Sequence, residues 1–136
     1  FYNPNSDPIR QADFFISQVK LEKGDLAPVL DIERKPRNQA QLQADLVKFL
    51  NRLEQHYGVK PIIYTSYKYM TRYLNTPEFD NYPLWIAHYY VDTLSYEGAW
   101  QFWQHTDYGT VPGIDESVDL NVFNGSLDEL QRYTVK

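Results

Sequence analysis

Short apolar segments alternate along this chain with longer segments of helical periodicity. The pattern predicts helices that begin at residues 7–8 and 38–41, the first ending near residues 20–24 and the second at Gly58. Strands are predicted at residues 27–33, 60–65 and 84–89. Such alternation is typical of a parallel α/β sheet, either doubly wound or closed into a barrel. A nucleotide-binding doubly wound fold is disfavoured, because no strand is followed by a glycine-rich phosphate loop.

The last third of the chain lacks the length for the same alternation. Further strands are predicted at residues 100–105 and 118–123, with a Gly/Pro-rich loop at residues 108–115 between them. A closing helix is predicted at residues 126–133. Only about ten residues join the strands at 84–89 and 100–105, and such a link is too short for a full crossover helix.

Polar and aromatic side chains recur where successive predicted strands end. In barrels the active site is assembled at the carboxyl ends of several strands, so this distribution favours a barrel. A closed eight-stranded barrel usually needs at least about 200 residues, and Phe1 and Tyr2 resemble the end of a strand. We therefore expect a single barrel domain over residues 1–136 whose front strands are absent from this chain. The strand-end residues are Asp31, Glu33, Tyr64, Trp85, Tyr89, Gln104, His105, Asp119 and Asn121.

Asp31 and Glu33 stand at the end of the first predicted strand with one residue between them. Side chains two apart on a strand share a face and lie about 6.6 Å apart along it. Because two neighbouring carboxylates repel, the pKa of at least one should rise, which would allow it to donate a proton near neutral pH. The alternative is structural: Asp31 caps the following turn, and Glu33 pairs with Arg34 or Lys35.

Composition excludes several classes of function. The formal net charge is −5 and the basic residues are scattered, so nucleic acid is not an expected partner. The absence of cysteine excludes disulfides and thiolate chemistry, and no apolar run is long enough to span a bilayer. The 12 tyrosines and 3 tryptophans suit stacking on flat, hydroxylated ligands such as sugars, although packing could also use them.

No metal site or cofactor is predicted. His88 alternates with Trp85 and Ala87 along its strand and should face away from them, whereas His56 belongs to a helix. With His105, these are the only histidines, and they do not supply three converging ligands of zinc-like geometry.

An ordered set of motifs resembles the glycoside hydrolase family 25 lysozymes, and it covers the chain from Phe1 to Phe123. The resemblance implies an irregular TIM-like β/α barrel whose last strands lack helices. It also implies a secreted or cell-envelope N-acetylmuramidase that cuts the β-1,4 bond between N-acetylmuramic acid and N-acetylglucosamine in peptidoglycan. The motifs are Asp31-Ile32-Glu33, Ile63-Tyr64-Thr65, Trp85-Ile86-Ala87-His88-Tyr89, Trp103-Gln104-His105 and Val118-Asp119-Leu120-Asn121.

The resemblance also implies roles for individual acids. Glu33 would be the general acid, Asp31 would tune it and orient the acetamido group of the substrate, and Asp119 matches a further acidic position. The family's first strand normally carries another active-site Asp in a Gly-x-Asp-x-Ser-like motif, and this sequence begins after that strand. Paired acids of this kind also resemble those of substrate-assisted glycosidases, which favours that mechanism over direct retention or inversion.

Four other residues are candidate contacts to the glycan: Tyr64, Trp85, Tyr89 and Gln104. Tyr64 could hydrogen-bond a substrate group or a carboxylate, Trp85 could form a sugar platform, and Gln104 could bond a sugar. Packing of the barrel interior is the alternative for the aromatic side chains. Two other functions stay open: a glycan-binding domain without turnover, and a chitinase-like hydrolase.

Overall fold

The computed structural model describes residues 1–136 and contains five strands and four α-helices, with two short 3₁₀ helices. The strands are β1 (Val29–Asp31), β2 (Ile62–Ser66), β3 (Leu84–Ala87), β4 (Phe102–Val111) and β5 (Ile114–Phe123). The α-helices are α1 (Pro8–Gln18), α2 (Gln39–Tyr57), α3 (Tyr67–Tyr73) and α4 (Leu127–Leu130). The 3₁₀ helices are Phe79–Asn81 and Gln131–Tyr133. None of the helices has the length and hydropathy needed to span a bilayer.

The strands form one sheet in the order in which they occur along the chain. β1 to β4 are parallel, as the alternation predicts, and β5 returns antiparallel to β4. β1 and β5 lie at the two edges of the sheet and do not pair with each other. The five strands therefore form an α/β half-barrel in this chain, and the predicted TIM-like barrel is not confirmed.

The loop predicted at residues 108–115 is wrong. These residues form the adjoining ends of β4 and β5, and Val111 pairs with Ile114 across a turn of only Pro112 and Gly113. Gly113 has a φ of 90°, the left-handed conformation that glycine adopts easily in such turns. Proline and glycine here reverse the chain within two residues, whereas the sequence pattern indicated a long loop.

Two other predicted segments are shorter in the structure. α1 ends at Gln18 rather than near residues 20–24, because Val19 is already extended. β1 covers only the centre of the predicted strand at residues 27–33, and the backbone N–H of Ala27 instead bonds the carbonyl of Tyr133 (2.8 Å). Glu33 consequently lies beyond the end of β1.

Local capping explains the helix boundaries. The Asp7 side chain caps α1 by accepting from the N–H of Arg10 (2.7 Å), and Asn38 caps α2 by accepting from the N–H of Gln41 (2.9 Å). Asn38 and Gln41 have the spacing of a capping box but do not form one, since the Gln41 side chain donates to Asp45 instead. Gly58 ends α2 with a φ of 69°, as predicted.

The two faces of the sheet bury different clusters. The outer face packs Leu30, Ile63, Leu84 and Ile86 against the helices in the main core. The inner face carries a smaller cluster centred on Ala27, Ile62 and Phe102. Asp31, Tyr64 and Trp85 occupy paired positions on adjacent strands, so their side chains share this inner face.

The sheet curls around this inner face. The Tyr64 hydroxyl on β2 reaches the Gln104 side chain on β4, past the intervening strand β3 (2.6 Å). Near the amino-terminal end of β1, the last residues of the chain return to the sheet, and Leu26 and Thr134 form an isolated antiparallel bridge. The curl brings the carboxyl ends of the parallel strands together on one rim.

Candidate active site

Most of the residues predicted for the site lie at the level where the parallel strands β1, β2 and β3 end, because Gln104 within β4 pairs with Ala87 at the end of β3. Asp31 ends β1, Glu33 follows it, and Tyr89 lies two residues beyond β3. Gln104 and Asp119 belong to β4 and β5, and the Gln104 Nε2 donates to Asp119 Oδ2 (3.2 Å). Tyr64 belongs to β2, so residues on or just after all five strands contribute polar groups to one region.

Glu33 and Asp31 form the acidic pair at one end of this region. Partial burial of its carboxyl group raises the pKa of Glu33, and the hydrogen bond and charge of Asp31 raise it further. The N-terminal ammonium of Phe1 opposes the effect weakly. Two ionised carboxylates have no proton to share, so the hydrogen bond forms only when one is protonated. The pair therefore favours a protonated Glu33 at a pH where an isolated glutamate is ionised.

Asp31, which lies beside Glu33, has an unsatisfied oxygen atom. One of its oxygens, Oδ1, is buried and has no hydrogen-bond partner within the protein. A buried acceptor without a partner is unfavourable, and such groups are retained mainly where they serve a ligand or a proton. Neither Arg34 nor Lys35 forms an ion pair with Glu33, so the structural alternative for Glu33 is wrong.

Two hydroxyl groups fix the backbone on either side of Glu33. Thr65 Oγ1 donates to the carbonyl of Ile32 (2.5 Å), and the Tyr69 hydroxyl donates to the carbonyl of Arg34 (2.9 Å). Thr65 is fully buried and Tyr69 is nearly so. The peptide group before Glu33 and the peptide group after Arg34 are thus tied to β2 and α3, although Glu33 itself lies outside any strand.

Gln104 is the centre of a hydrogen-bond network. It is buried, and its Oε1 accepts from the hydroxyls of Tyr64 (2.6 Å) and Tyr89, while its Nε2 donates to Asp119. Burial raises the pKa of both tyrosines, so their hydroxyls remain donors. The charges of Asp31 and Glu33 also raise the pKa of Tyr64, which places the acidic pair within electrostatic reach of the network.

Trp85 lines the inner face next to this network. Its indole Nε1 donates to Asn121 Oδ1 (2.8 Å), and its ring meets the Tyr64 ring edge-on at 5.7 Å between centroids. The ring also packs on Phe102 at 5.4 Å. Packing and hydrogen bonding therefore fix its orientation, while the residue stays partly accessible.

Sequence reasoning missed Thr65 and Tyr69 as supports of the site, and it gave Asn121 as a strand-end residue without a role. Asn121 lies two residues from Asp119 on the same strand and shares its face. Thr65 and Tyr69 point to the outer core, where their hydroxyls reach a loop distant in sequence. No local signal marks that contact.

The histidines lie apart from this site. The His88 ring stacks on Tyr67 at 4.4 Å on the outer side of the sheet, which confirms that it faces away from Trp85. His105 packs against Trp103. The structure contains no group of three or more His, Cys, Asp or Glu side chains arranged to hold a metal ion.

The family model for glycosyl hydrolases family 25 matches residues 1–114 of the chain. The chain belongs to glycosyl hydrolase family 25. It is similar to the uncharacterized protein YegX of Escherichia coli K12, with 38% identity over 135 residues that cover 98% of this chain and 49% of that protein. Lysozyme M1 of Streptomyces globisporus is 29% identical over 146 residues, covering 96% of this chain and 50% of that protein. The chain thus spans about half the length of these curated relatives.

Solved structures of glycosyl hydrolase family 25 share the fold. The family 25 glycosyl hydrolase of Bacillus anthracis superposes with a TM-score of 0.85 at 31% identity, over 98% of this chain and 66% of that one. A bacterial lysozyme of Streptomyces coelicolor has a TM-score of 0.84 at 29% identity, over 96% of this chain and 67% of that one. The half-barrel is therefore similar to about two thirds of each of these chains.

Proposed function

We propose that the protein containing this chain is a peptidoglycan hydrolase of the lysozyme type. It cleaves the β-1,4 bond between N-acetylmuramic acid and N-acetylglucosamine in peptidoglycan glycan strands. The observation that carries this proposal is the placement of Glu33 beside Asp31 where β1 ends, in a setting whose burial and neighbouring carboxyl group raise the pKa of Glu33. Family membership and the similarity to lysozyme M1 support it.

In the proposed reaction, Glu33 donates its proton to the glycosidic oxygen as the bond from that oxygen to C1 of N-acetylmuramic acid breaks. The acetamido oxygen of the same sugar forms a bond to C1, and Asp31 orients and stabilises the acetamido group. Water then attacks C1 as the bond from the acetamido oxygen to C1 breaks, which regenerates the acetamido group, and the water transfers a proton to the Glu33 carboxylate, which restores the acid. The raised pKa of Glu33 keeps the proton available for the first step.

The network around Gln104 shapes the proposed glycan site. Tyr64 and Tyr89 present hydroxyls there, and Asp119 supplies a further carboxylate held by the Gln104 amide. Trp85 forms a sugar platform, since a ring fixed by its own hydrogen bond presents an apolar face at low entropic cost. We further propose that these residues belong to one TIM-like barrel domain of a secreted or cell-envelope protein.

The test compares two substrates. The complete natural protein is incubated with purified peptidoglycan and, separately, with chitin oligomers, and the products are identified by mass spectrometry. Fragments with N-acetylmuramic acid at the reducing end support the proposal. Cleavage of chitin alone contradicts it in favour of a chitinase-like enzyme. Binding to peptidoglycan without any cleavage contradicts it in favour of a glycan-binding domain.

A further inference from the structure

Tyr90 has an unusual backbone and an unusual exposure. It is the only residue other than glycine with a positive φ (59°), and 88% of its surface is exposed. A left-handed conformation is unfavourable for a residue with a Cβ, and a bulky side chain makes it a genuine outlier. The fold therefore accepts strain at a residue whose side chain it hardly covers.

The interactions of Tyr90 within the protein do not explain this strain. Its ring meets the ring of Tyr89 edge-on at 6.4 Å between centroids, and its hydroxyl forms no hydrogen bond within the protein. Strained backbone conformations persist mainly at ligand sites, where the conformation aims a side chain. Here the Tyr89 hydroxyl bonds Gln104, whereas the side chain of the next residue, Tyr90, is exposed to solvent.

We propose that Tyr90 is a stacking platform for a sugar ring of the glycan strand outside the pair of sugars that is cleaved. This inference rests on the proposed function and adds a distal subsite to it. A glycan strand is a polymer, so it continues past the cleaved bond and across the rim of the site. An exposed tyrosine offers an apolar face to the C–H face of a pyranose and a hydroxyl to its polar edge. Its position next to Tyr89 makes this surface continuous with the Gln104 network.

Two variants distinguish the contribution of the Tyr90 ring to glycan binding from the effect of the backbone strain. Tyr90→Asn removes the ring and suits the left-handed backbone, whereas Tyr90→Phe keeps the ring. Both changes are made in the complete natural protein carrying Glu33→Gln, so that glycans bind without turnover. Affinities are measured by titration calorimetry for peptidoglycan glycans of two and of six sugars, and cleavage is measured in parallel with Glu33 intact.

We expect Tyr90→Asn to weaken binding of the six-sugar glycan about three- to tenfold, the range for loss of one aromatic contact. Binding of the two-sugar glycan should not change, Tyr90→Phe should bind normally, and the melting temperature of Tyr90→Asn should be equal or higher. Unchanged six-sugar affinity in Tyr90→Asn, with cleavage intact, overturns the platform and leaves the proposed function standing. Absence of both glycan binding and cleavage in every form overturns the two together.

Discussion

Replacing Thr65 with valine tests whether the buried hydroxyl positions the acid. Valine has nearly the same shape, so the change removes the hydroxyl that donates to the Ile32 carbonyl at 2.5 Å and leaves the packing in place. Because Thr65 is fully buried, water cannot replace the lost bond, and the cost should be about 1.5 kcal/mol. For a domain of this size we expect a melting temperature lower by about 6 °C.

Thr65→Val should also lower the activity. The Ile32 carbonyl immediately precedes Glu33, and a displacement of a catalytic group by about 1 Å can cost about 100-fold in rate. Thr65→Val should therefore lower kcat at least about tenfold while KM changes much less. The assay is release of reducing ends from soluble glycan strands, at a temperature well below the melting transition of the variant.

Two matched variants complete this test. Thr65→Ser keeps the hydroxyl and should recover most of kcat. Thr71→Val removes an exposed hydroxyl that bonds the carbonyl of Tyr67 in its own helix, and it should leave kcat unchanged. A Thr65→Val protein that is destabilised as expected but retains full kcat would refute the positioning argument.

Three further predictions concern the network, the acidic pair and a helix end. Gln104→Met should lower the free energy of unfolding by about 2–3 kcal/mol, measured by urea titration, because two tyrosine hydroxyls and a carboxylate lose their hydrogen-bond partner. A decrease of less than about 0.5 kcal/mol would contradict the stabilising role of the network. Asp31→Asn removes the charge that raises the pKa of Glu33, and a general acid must be protonated, so the alkaline limb of the kcat/KM profile should move to lower pH. A shift of this limb to higher pH would contradict the conclusion that Asp31 raises the pKa of Glu33. Gly58→Ala should lower the free energy of unfolding by about 1 kcal/mol, because alanine is strained at a φ of 69°. Cleavage at 25 °C should not change, and loss of cleavage in the folded variant would contradict a purely structural role for Gly58 at the end of α2.

Local sequence signals predicted the elements that depend on local chemistry. The start of α1 at residues 7–8, the Gly58 stop and the three central strands follow from residues close together in the chain. The acidic pair was placed near the other site residues because the ends of parallel strands meet on one edge, although Gln104 and Asp119 lie inside β4 and β5, which extend beyond their predicted bounds. The extended hairpin was missed because Pro112 and Gly113 are equally compatible with a loop.

The contacts that organise the site could not be predicted in this way. The bond between Tyr64 and Gln104 crosses β3 and depends on the curl of the sheet, which no single segment specifies. The support of the backbone before Glu33 likewise depends on a bond between Thr65 and Ile32, which are 33 positions apart in the chain. The left-handed backbone at Tyr90 has no local signature, because its residue type gives no indication of a positive φ.

The role of Glu33 as the acid is the central claim, and the variant Glu33→Gln tests it most directly. Glutamine keeps the shape of the side chain and removes the transferable proton. Purified peptidoglycan is incubated with the complete natural protein and with its Glu33→Gln form, and fragments with reducing-end N-acetylmuramic acid are counted by mass spectrometry. We predict such fragments only from the unmodified protein, with both forms folded by circular dichroism. Equal release by a folded Glu33→Gln protein would contradict the assignment of Glu33 as the acid.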